Sequence, residues 1–276
     1  MSAAPALPLT YLFVPGDRPE RFAKALASGA NRIIVDLEDA VAPAEKEQAR
    51  QAAAQWLASS DAARNQTLIR INDDATPWHA QDLAFIQAAR APGVMLPKCE
   101  SASQVASALQ GLPAEATVLP LIETARGMLA LSDIASAPGV DRLAFGSLDY
   151  MADLDIPANS PALVFSAAQI AIASRAAGIA SPVAGVTPEL DAARVTADMT
   201  QARALGFGAK MCIHPMQVPA VLKALAPSDA ELAWARRVLQ AWAASTGGAI
   251  QLDGKMVDRP VILKAERIIA RAAQAG

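Results

Sequence analysis

The chain predicts a (β/α)8 TIM barrel, an α/β fold, followed by a C-terminal helical extension. Three observations lead there. Eight short β-rich runs alternate with Ala-rich segments, each long enough for one helix. The runs are continuously apolar, as strands are when a parallel sheet is covered on both faces. A length of 276 residues with 53% hydrophobic side chains suits a barrel, which commonly takes about 250 residues as one domain. A six-stranded doubly wound sheet is the competing arrangement. It is weakened because no Gly-x-Gly-x-x-Gly follows the first strand.

The expected strands are Tyr11–Val14, Arg32–Asp36, Thr67–Ile71, Gly93–Pro97, Val118–Ile122, Arg142–Gly146, Ser181–Gly185 and Gly208–Ile213. Ile, Val and Phe concentrate in them. The helices between are Pro19–Ser28, Ala44–Leu57, Ala80–Ala89, Ser101–Leu109, Gly127–Ile134, Pro161–Ala177 and Pro188–Leu205, where Ala, Arg, Glu and Gln favour helix. Residues 1–226 would complete the barrel and 227–276 would form the extension. In the extension, Ser228 with Glu231 three residues later reads as a capping box. A loop, Ser245–Pro260, carries Gly247, Gly248 and Gly254, and a last helix spans Val261–Ala273. This tail is either a lid over the barrel rim or an arm to another subunit.

Bulk properties remove several classes. A net charge of −3 and the lack of a basic run give no reason to expect nucleic acid. No apolar run approaches the roughly 18 residues of a membrane span. Met1–Pro8 lacks the features of a signal peptide. Cys99 and Cys212 read as reduced thiols of a cytoplasmic protein. Two histidines, His79 and His214, are too few for a His-rich zinc site. His214, closing the eighth strand, reads as a packing residue.

The residues able to do chemistry stand at strand C-terminal ends, where parallel α/β folds keep their sites. Glu123 and Asp149 each close an apolar run and are separated by room for one helix and one strand. Two carboxylates plus waters is the usual way to hold Mg²⁺, so the pair suggests a Mg²⁺-dependent enzyme, although either acid could also cap a helix. Asp36, Glu38 and Asp39 crowd the end of the second strand and need a cation or basic side chains nearby. Arg70, among apolar neighbours on the third strand, would either pair with those acids or fork onto a substrate carboxylate or enolate oxygen. Lys98 is a second cation at the rim, or a solvated lysine opening a loop. Pro15-Gly16-Asp17-Arg18 after the first strand is either an ordinary turn or a phosphate-approaching loop. Lys255–Pro260 alone reads as a loop.

Together these segments resemble the citrate lyase beta-subunit family of CoA-ester lyases, within the aldolase/citrate lyase superfamily. The matching residues are Phe13-Val14-Pro15-Gly16-Asp17, Val35–Val41, Arg70-Ile71-Asn72, Leu96-Pro97-Lys98, Pro120–Gly127, Phe145–Tyr150, Lys210–Pro215 and Gly254–Val261. They span nearly the whole chain in the family's order. The aldolase branch usually carries a histidine after its second strand, where Leu37-Glu38-Asp39 stands here, so the lyase branch fits better.

The resemblance implies Mg²⁺ held at Glu123 and Asp149, with Arg70 beside the substrate. Asp36, Glu38, Asp39 and Lys98 would surround them and orient waters of the cation. Pro15, Gly16 and Arg18 would meet CoA. Asp258 would act as acid or base in a neighbouring subunit, in a homotrimer or hexamer. The implied reaction cleaves a 3-hydroxyacyl-CoA of malyl-, citramalyl- or citryl-CoA type to acetyl-CoA and a 2-keto acid by retro-Claisen chemistry. A metal-dependent aldolase on free hydroxy-keto acids, or a beta subunit acting on a carrier-bound citryl thioester, are the alternatives. One departure stands out. The family commonly has Asp-Leu-Gly after its metal-binding aspartate, and this chain has Asp153-Leu154-Asp155, so a different turn is expected there.

Overall fold

A computed structural model describes residues 7–245 and 250–275. Eight parallel strands close into a barrel in sequence order. They are β1 (Thr10–Pro15), β2 (Arg32–Asp36), β3 (Thr67–Arg70), β4 (Gly93–Leu96), β5 (Thr117–Ile122), β6 (Ala144–Phe145), β7 (Val183–Ala184) and β8 (Ala209–Cys212). Closure is direct, with Tyr11 of β1 opposite Met211 of β8. Residues taken alternately from the strands, including Ile34, Leu68, Met95, Leu119, Leu121 and Met211, fill the interior. The opposite residues of each strand pack outward against helices, which is why the runs read as unbroken apolar stretches.

The helices are α1 (Phe22–Leu26), α2 (Lys46–Ser59), α3 (Asp61–Asn65), α4 (His79–Ala88), α5 (Ala102–Leu109), α6 (Ala125–Leu129), α7 (Leu131–Ala135), α8 (Ser147–Leu154), α9 (Pro161–Ala176), α10 (Ala192–Ala204), α11 (Gln217–Leu225), α12 (Asp229–Ala243) and α13 (Arg259–Ala275). Departures from expectation have local causes. Pro19–Ser28 begins as a 3₁₀ turn, Pro19–Arg21, with proline at its first position, and only then becomes α1. Gly127–Ile134 is two short helices meeting at Ala130. Pro188–Leu205 starts late, where the Asp191 side chain accepts the Arg194 amide and caps α10. The sixth strand shrinks to Ala144–Phe145, and at Gly146 the chain turns into α8, a helix absent from the sequence reading. The turn after α8 keeps a positive-φ closure despite the missing glycine. Asp155 takes the left-handed conformation, φ +52°, where glycine is the unstrained choice.

The chain divides into two compact units, the barrel Pro8–Val221 and a C-terminal unit from Leu222 onward. The second unit has its own core, with Ala235 and Val238 of α12 against Val257, Ile262, Ala265 and Ile268. The Ser228–Glu231 capping box starts α12 as expected. The expected loop Ser245–Pro260 holds a hairpin, β9 (Ile250–Leu252) antiparallel to β10 (Lys255–Val257). Its turn places Asp253 at φ +51° and Gly254 at φ +74°, as an Asp-Gly hairpin turn requires. Gly247 and Gly248 lie outside the described residues, as do Met1–Ala6. No helix among the described residues is long and apolar enough to cross a membrane.

Candidate active site

Asp36 ends β2 and Arg70 ends β3, and the parallel register sets them side by side. Arg70 Nε and Nη2 each lie 2.7 Å from an oxygen of Asp36, a two-pronged contact that fixes the guanidinium plane. Asp36 also accepts the backbone amides of Glu38 at 2.9 Å and Ala40 at 3.2 Å. Arg70 Nη1 lies 2.8 Å from Glu38 Oε2 and 3.5 Å from Asp39 Oδ2. The Glu38 contact is an ion pair, and Oε2 has no hydrogen-bond partner among the described residues. The guanidinium face rests on the Phe13 ring, 4.9 Å from its centroid.

Of the two roles open to Arg70, the partner of the acids is the one seen. Most of its five N–H donors face carboxylates. Burial disfavours its charge, but Asp36, Glu38 and Asp39 outweigh that and raise its pKa. Burial likewise pushes the Glu38 carboxyl up, to about 7, against the pull of Arg70 and with a further push from Asp39.

Lys46, which sequence reasoning passed over as an ordinary helix residue, supports this acidic turn. It is buried at the start of α2, and its Nζ reaches the carbonyls of Leu37 (2.6 Å) and Glu38 (2.7 Å) and Asn72 Oδ1 (2.7 Å). Asn72 in turn donates to Asp82 at 2.6 Å, and Arg50 pairs with Asp82 at 3.0 Å.

Glu123, expected at the rim, lies just past β5 and is 2% exposed. Its Oε1 accepts the Lys98 amide at 2.8 Å, and Lys98 holds φ +42° to present that N–H. Lys98 Nζ reaches Glu38 Oε1 at 3.2 Å and Asp73 at 3.6 Å, so this lysine joins the Glu38 and Glu123 parts of the site. Glu123 Oε2 is buried and has no hydrogen-bond partner among the described residues. Burial pushes the Glu123 carboxyl up to about 8, opposed by the Lys98 amide and reinforced by the charge of Asp149. Gly146 leaves room for this carboxyl, since a Cβ there would overlap Glu123 Oε2 and stand 2.7 Å from its Cβ. Asp149 is not at a strand end as expected. It sits in the first turn of α8, where the helix dipole favours a negative charge.

Glu123, Asp149, Asp36, Asp39, Arg70 and Pro15 line one cavity of about 370 Å³, whose apolar wall includes Phe13, Leu121 and Met211. Glu123 and Asp149 are the donors that could hold a cation there. Among the described residues no cluster of three or more His, Cys, Asp or Glu suits a metal. The donor set is therefore two carboxylates with open positions, one of them carrying a buried oxygen that nothing satisfies, and that suits Mg²⁺ better than Zn²⁺.

The remaining candidates are dispersed. Gly16 is needed for packing, as its amide donates to the Asp36 carbonyl at 2.8 Å and a Cβ would stand 2.7 Å from that oxygen. Arg18 is exposed, 3.8 Å from Asp17. His214 Nδ1 accepts the Met216 amide. Asp258 belongs to the C-terminal unit, half-buried between β10 and α13, with its carbonyl accepting the Ile262 amide.

The two rim carboxylates and the Asp36–Arg70 pair thus share one cavity. The model of the HpcH/HpaI aldolase/citrate lyase family matches residues 9–215. The chain belongs to that family. It is 39% identical over 272 residues to a citrate lyase subunit beta-like protein of Mycobacterium tuberculosis, covering 96% of each. It is 30% identical over 268 residues to a (3S)-malyl-CoA thioesterase of Cereibacter sphaeroides, covering 95% of this chain and 94% of that one. Among solved structures it resembles CitE from Mycobacterium tuberculosis in complex with magnesium, acetoacetate and coenzyme A. The TM-score is 0.86 at 38% identity, over 97% of this chain and 99% of the other.

Proposed function

We propose that the chain is a Mg²⁺-dependent CoA-ester lyase that cleaves a 3-hydroxyacyl-CoA to acetyl-CoA and a 2-keto acid. The observation carrying this reading is the unsatisfied buried oxygen of Glu123 beside Asp149 in a cavity that Arg70 also lines. Glu123 and Asp149 would hold the cation. Bound there, Mg²⁺ supplies Lewis-acid polarisation of the substrate's hydroxyl and carboxylate oxygens.

The chain's own residues do the rest. Gly146 and the Lys98 amide keep Glu123 aimed into the cavity. Asp36 and Glu38 lock Arg70 in one plane, leaving about one Nη2 N–H for the thioester oxygen as it gains enolate character. The apolar wall of Phe13, Leu121 and Met211 keeps that oxygen out of bulk water. Asp258, in the C-terminal unit of a neighbouring subunit, would exchange the proton with the acetyl methyl group, which makes a homo-oligomer the working form and residues 227–276 its shared arm. CoA would lie along Pro15, Gly16 and Arg18.

The thioesterase relative favours one second reading, hydrolysis of the thioester without carbon–carbon cleavage. A single experiment separates the two. The purified chain is given malyl-CoA, citramalyl-CoA and citryl-CoA with Mg²⁺ or with chelator. Chelator-sensitive release of acetyl-CoA with glyoxylate, pyruvate or oxaloacetate supports the lyase, and Asp149→Ala should abolish it. Release of free CoA with the intact hydroxy acid supports hydrolysis. No reaction with any member, or full activity in Asp149→Ala, would overturn the proposal.

A further inference from the structure

A second cavity, of about 250 Å³, lies outside the barrel wall among α9, α10 and the ends of β7 and β8. Ala209 and Met211 of β8 point into the barrel core, so Lys210 between them points outward, and it lines this cavity. The lysine is 3% exposed. Its Nζ donates to the Gly185 carbonyl at 2.5 Å, its one hydrogen-bond partner among the described residues. An ammonium has three donors, so two are left for the cavity.

The nearest acid does not use them. Asp198 Oδ2 accepts the Thr187 hydroxyl at 2.7 Å and Oδ1 pairs with Arg194 at 3.1 Å. Lys210, Arg194 and Asp198 together leave one positive charge at this end. The apolar part of the lining includes Leu163, Val164, Ala167, Leu205 and Phe207. Ser147, Asn159, Ser160, Gln201 and Asp198 are among its polar members. A volume near 250 Å³ corresponds to roughly eight waters, room for a ligand of about six to eight non-hydrogen atoms.

We infer that this cavity binds a short-chain aliphatic monocarboxylate, with its carboxylate on Lys210 Nζ and its alkyl chain against Leu163, Val164 and Phe207. Leaving a buried ammonium short of acceptors is costly, and a monoanion supplies both the charge and the acceptors. The apolar wall separates this ligand class from phosphate or sulfate, which would leave it unfilled. Ser147 and Val186 line both cavities, but Lys210 leaves the barrel wall on the opposite face from Glu123, so the two sites are distinct. The inference does not rest on the proposed lyase activity.

The test is calorimetric titration of the full chain, in chelator, with sodium butyrate and sodium valerate, and with 1-pentanol and phosphate as comparisons. Saturable one-to-one valerate binding, tighter than that of pentanol or phosphate, is expected. Lys210→Met should weaken it at least tenfold. Ala202→Trp keeps the lysine but fills the volume, and should do the same, so it decides the matter if Lys210→Met does not fold. Asp149→Asn should bind valerate like the parent chain. The inference would be overturned by no saturable binding by the parent chain, by undiminished binding in a folded Lys210→Met or in Ala202→Trp, by binding lost in Asp149→Asn, or by pentanol or phosphate as the tighter ligand.

Discussion

Replacing Arg70 with alanine removes the cation around which three carboxylates of the barrel rim are arranged. Breaking one half of a buried ion pair costs roughly 3–5 kcal/mol. Here the cost should sit at the lower end, about 3 kcal/mol, because each main acid keeps a partner. Asp36 keeps the amides of Glu38 and Ala40, and Glu38 keeps Lys98. With an unfolding entropy of about 2.1 cal/mol/K per residue over the barrel, that is a Tm drop of roughly 6–7 °C. The loss should also depend on pH. Glu38 already titrates at about 7 with Arg70 opposing the burial effect, and without Arg70 its folded-state pKa rises further. A raised folded-state pKa gives stability that is complete below the ordinary carboxyl range and is lost as pH rises through the folded value. The Arg70→Ala deficit should therefore be larger at pH 9 than at pH 6. Urea unfolding in chelator, followed by tryptophan fluorescence at both pH values, measures it. A deficit below about 1 kcal/mol at both, or a larger deficit at pH 6, would refute the assignment of Arg70 as the partner of these acids.

Three further outcomes follow from the same geometry. Gly146→Ala places a methyl group against the Glu123 carboxyl, so it should cost about 1–3 kcal/mol of stability and abolish Mg²⁺ binding by calorimetry. In chelator, the Glu123 carboxyl at about 8 should make stability fall as pH rises from about 4.5 to 8. Glu123→Gln should flatten that part of the profile, and the Tm gain from Mg²⁺ should grow over the same range in the parent chain and vanish in the variant. Asp155→Gly relieves a left-handed residue at the end of α8 and should stabilise the barrel by about 0.5–1 kcal/mol in the same denaturation assay.

The barrel was legible because its strands are apolar on both faces, a pattern that owes little to tertiary detail. Arg32–Asp36 is read from the sequence with the bounds that the structure shows. The end of β6 was read to within a residue, at Gly146, but α8 was not legible. Phe145 and Leu148 make the run through Asp149 look continuous, yet the chain turns at Gly146 into α8, at a point where a Cβ would overlap the Glu123 side chain. That neighbour comes from another strand and leaves no mark on the local pattern. Lys46 was hidden in the same way, since an ordinary helix lysine acquires its partners, the Leu37 and Glu38 carbonyls, when α2 docks. The β9–β10 hairpin did carry a local signal, Asp253-Gly254, that the reading of Ser245–Pro260 as a loop passed over.

The acidic residues were found in the sequence, but their division of labour follows from solvation. Asp36 and Glu123 are both 2% exposed and both carboxylates, yet their surroundings differ. Asp36 has two guanidinium donors and two amides, a set that satisfies a charge on the acid. Glu123 has one amide on one oxygen and, among the described residues, nothing on the other, with Asp149 adding a like charge. The first environment orients Arg70 through two hydrogen bonds. The second penalises the anion, a penalty that a cation held by Glu123 and Asp149, as proposed, would relieve. Lys98 couples the two, lending its amide to Glu123 and its ammonium to Glu38, and its left-handed φ of +42° is the conformational cost of serving both.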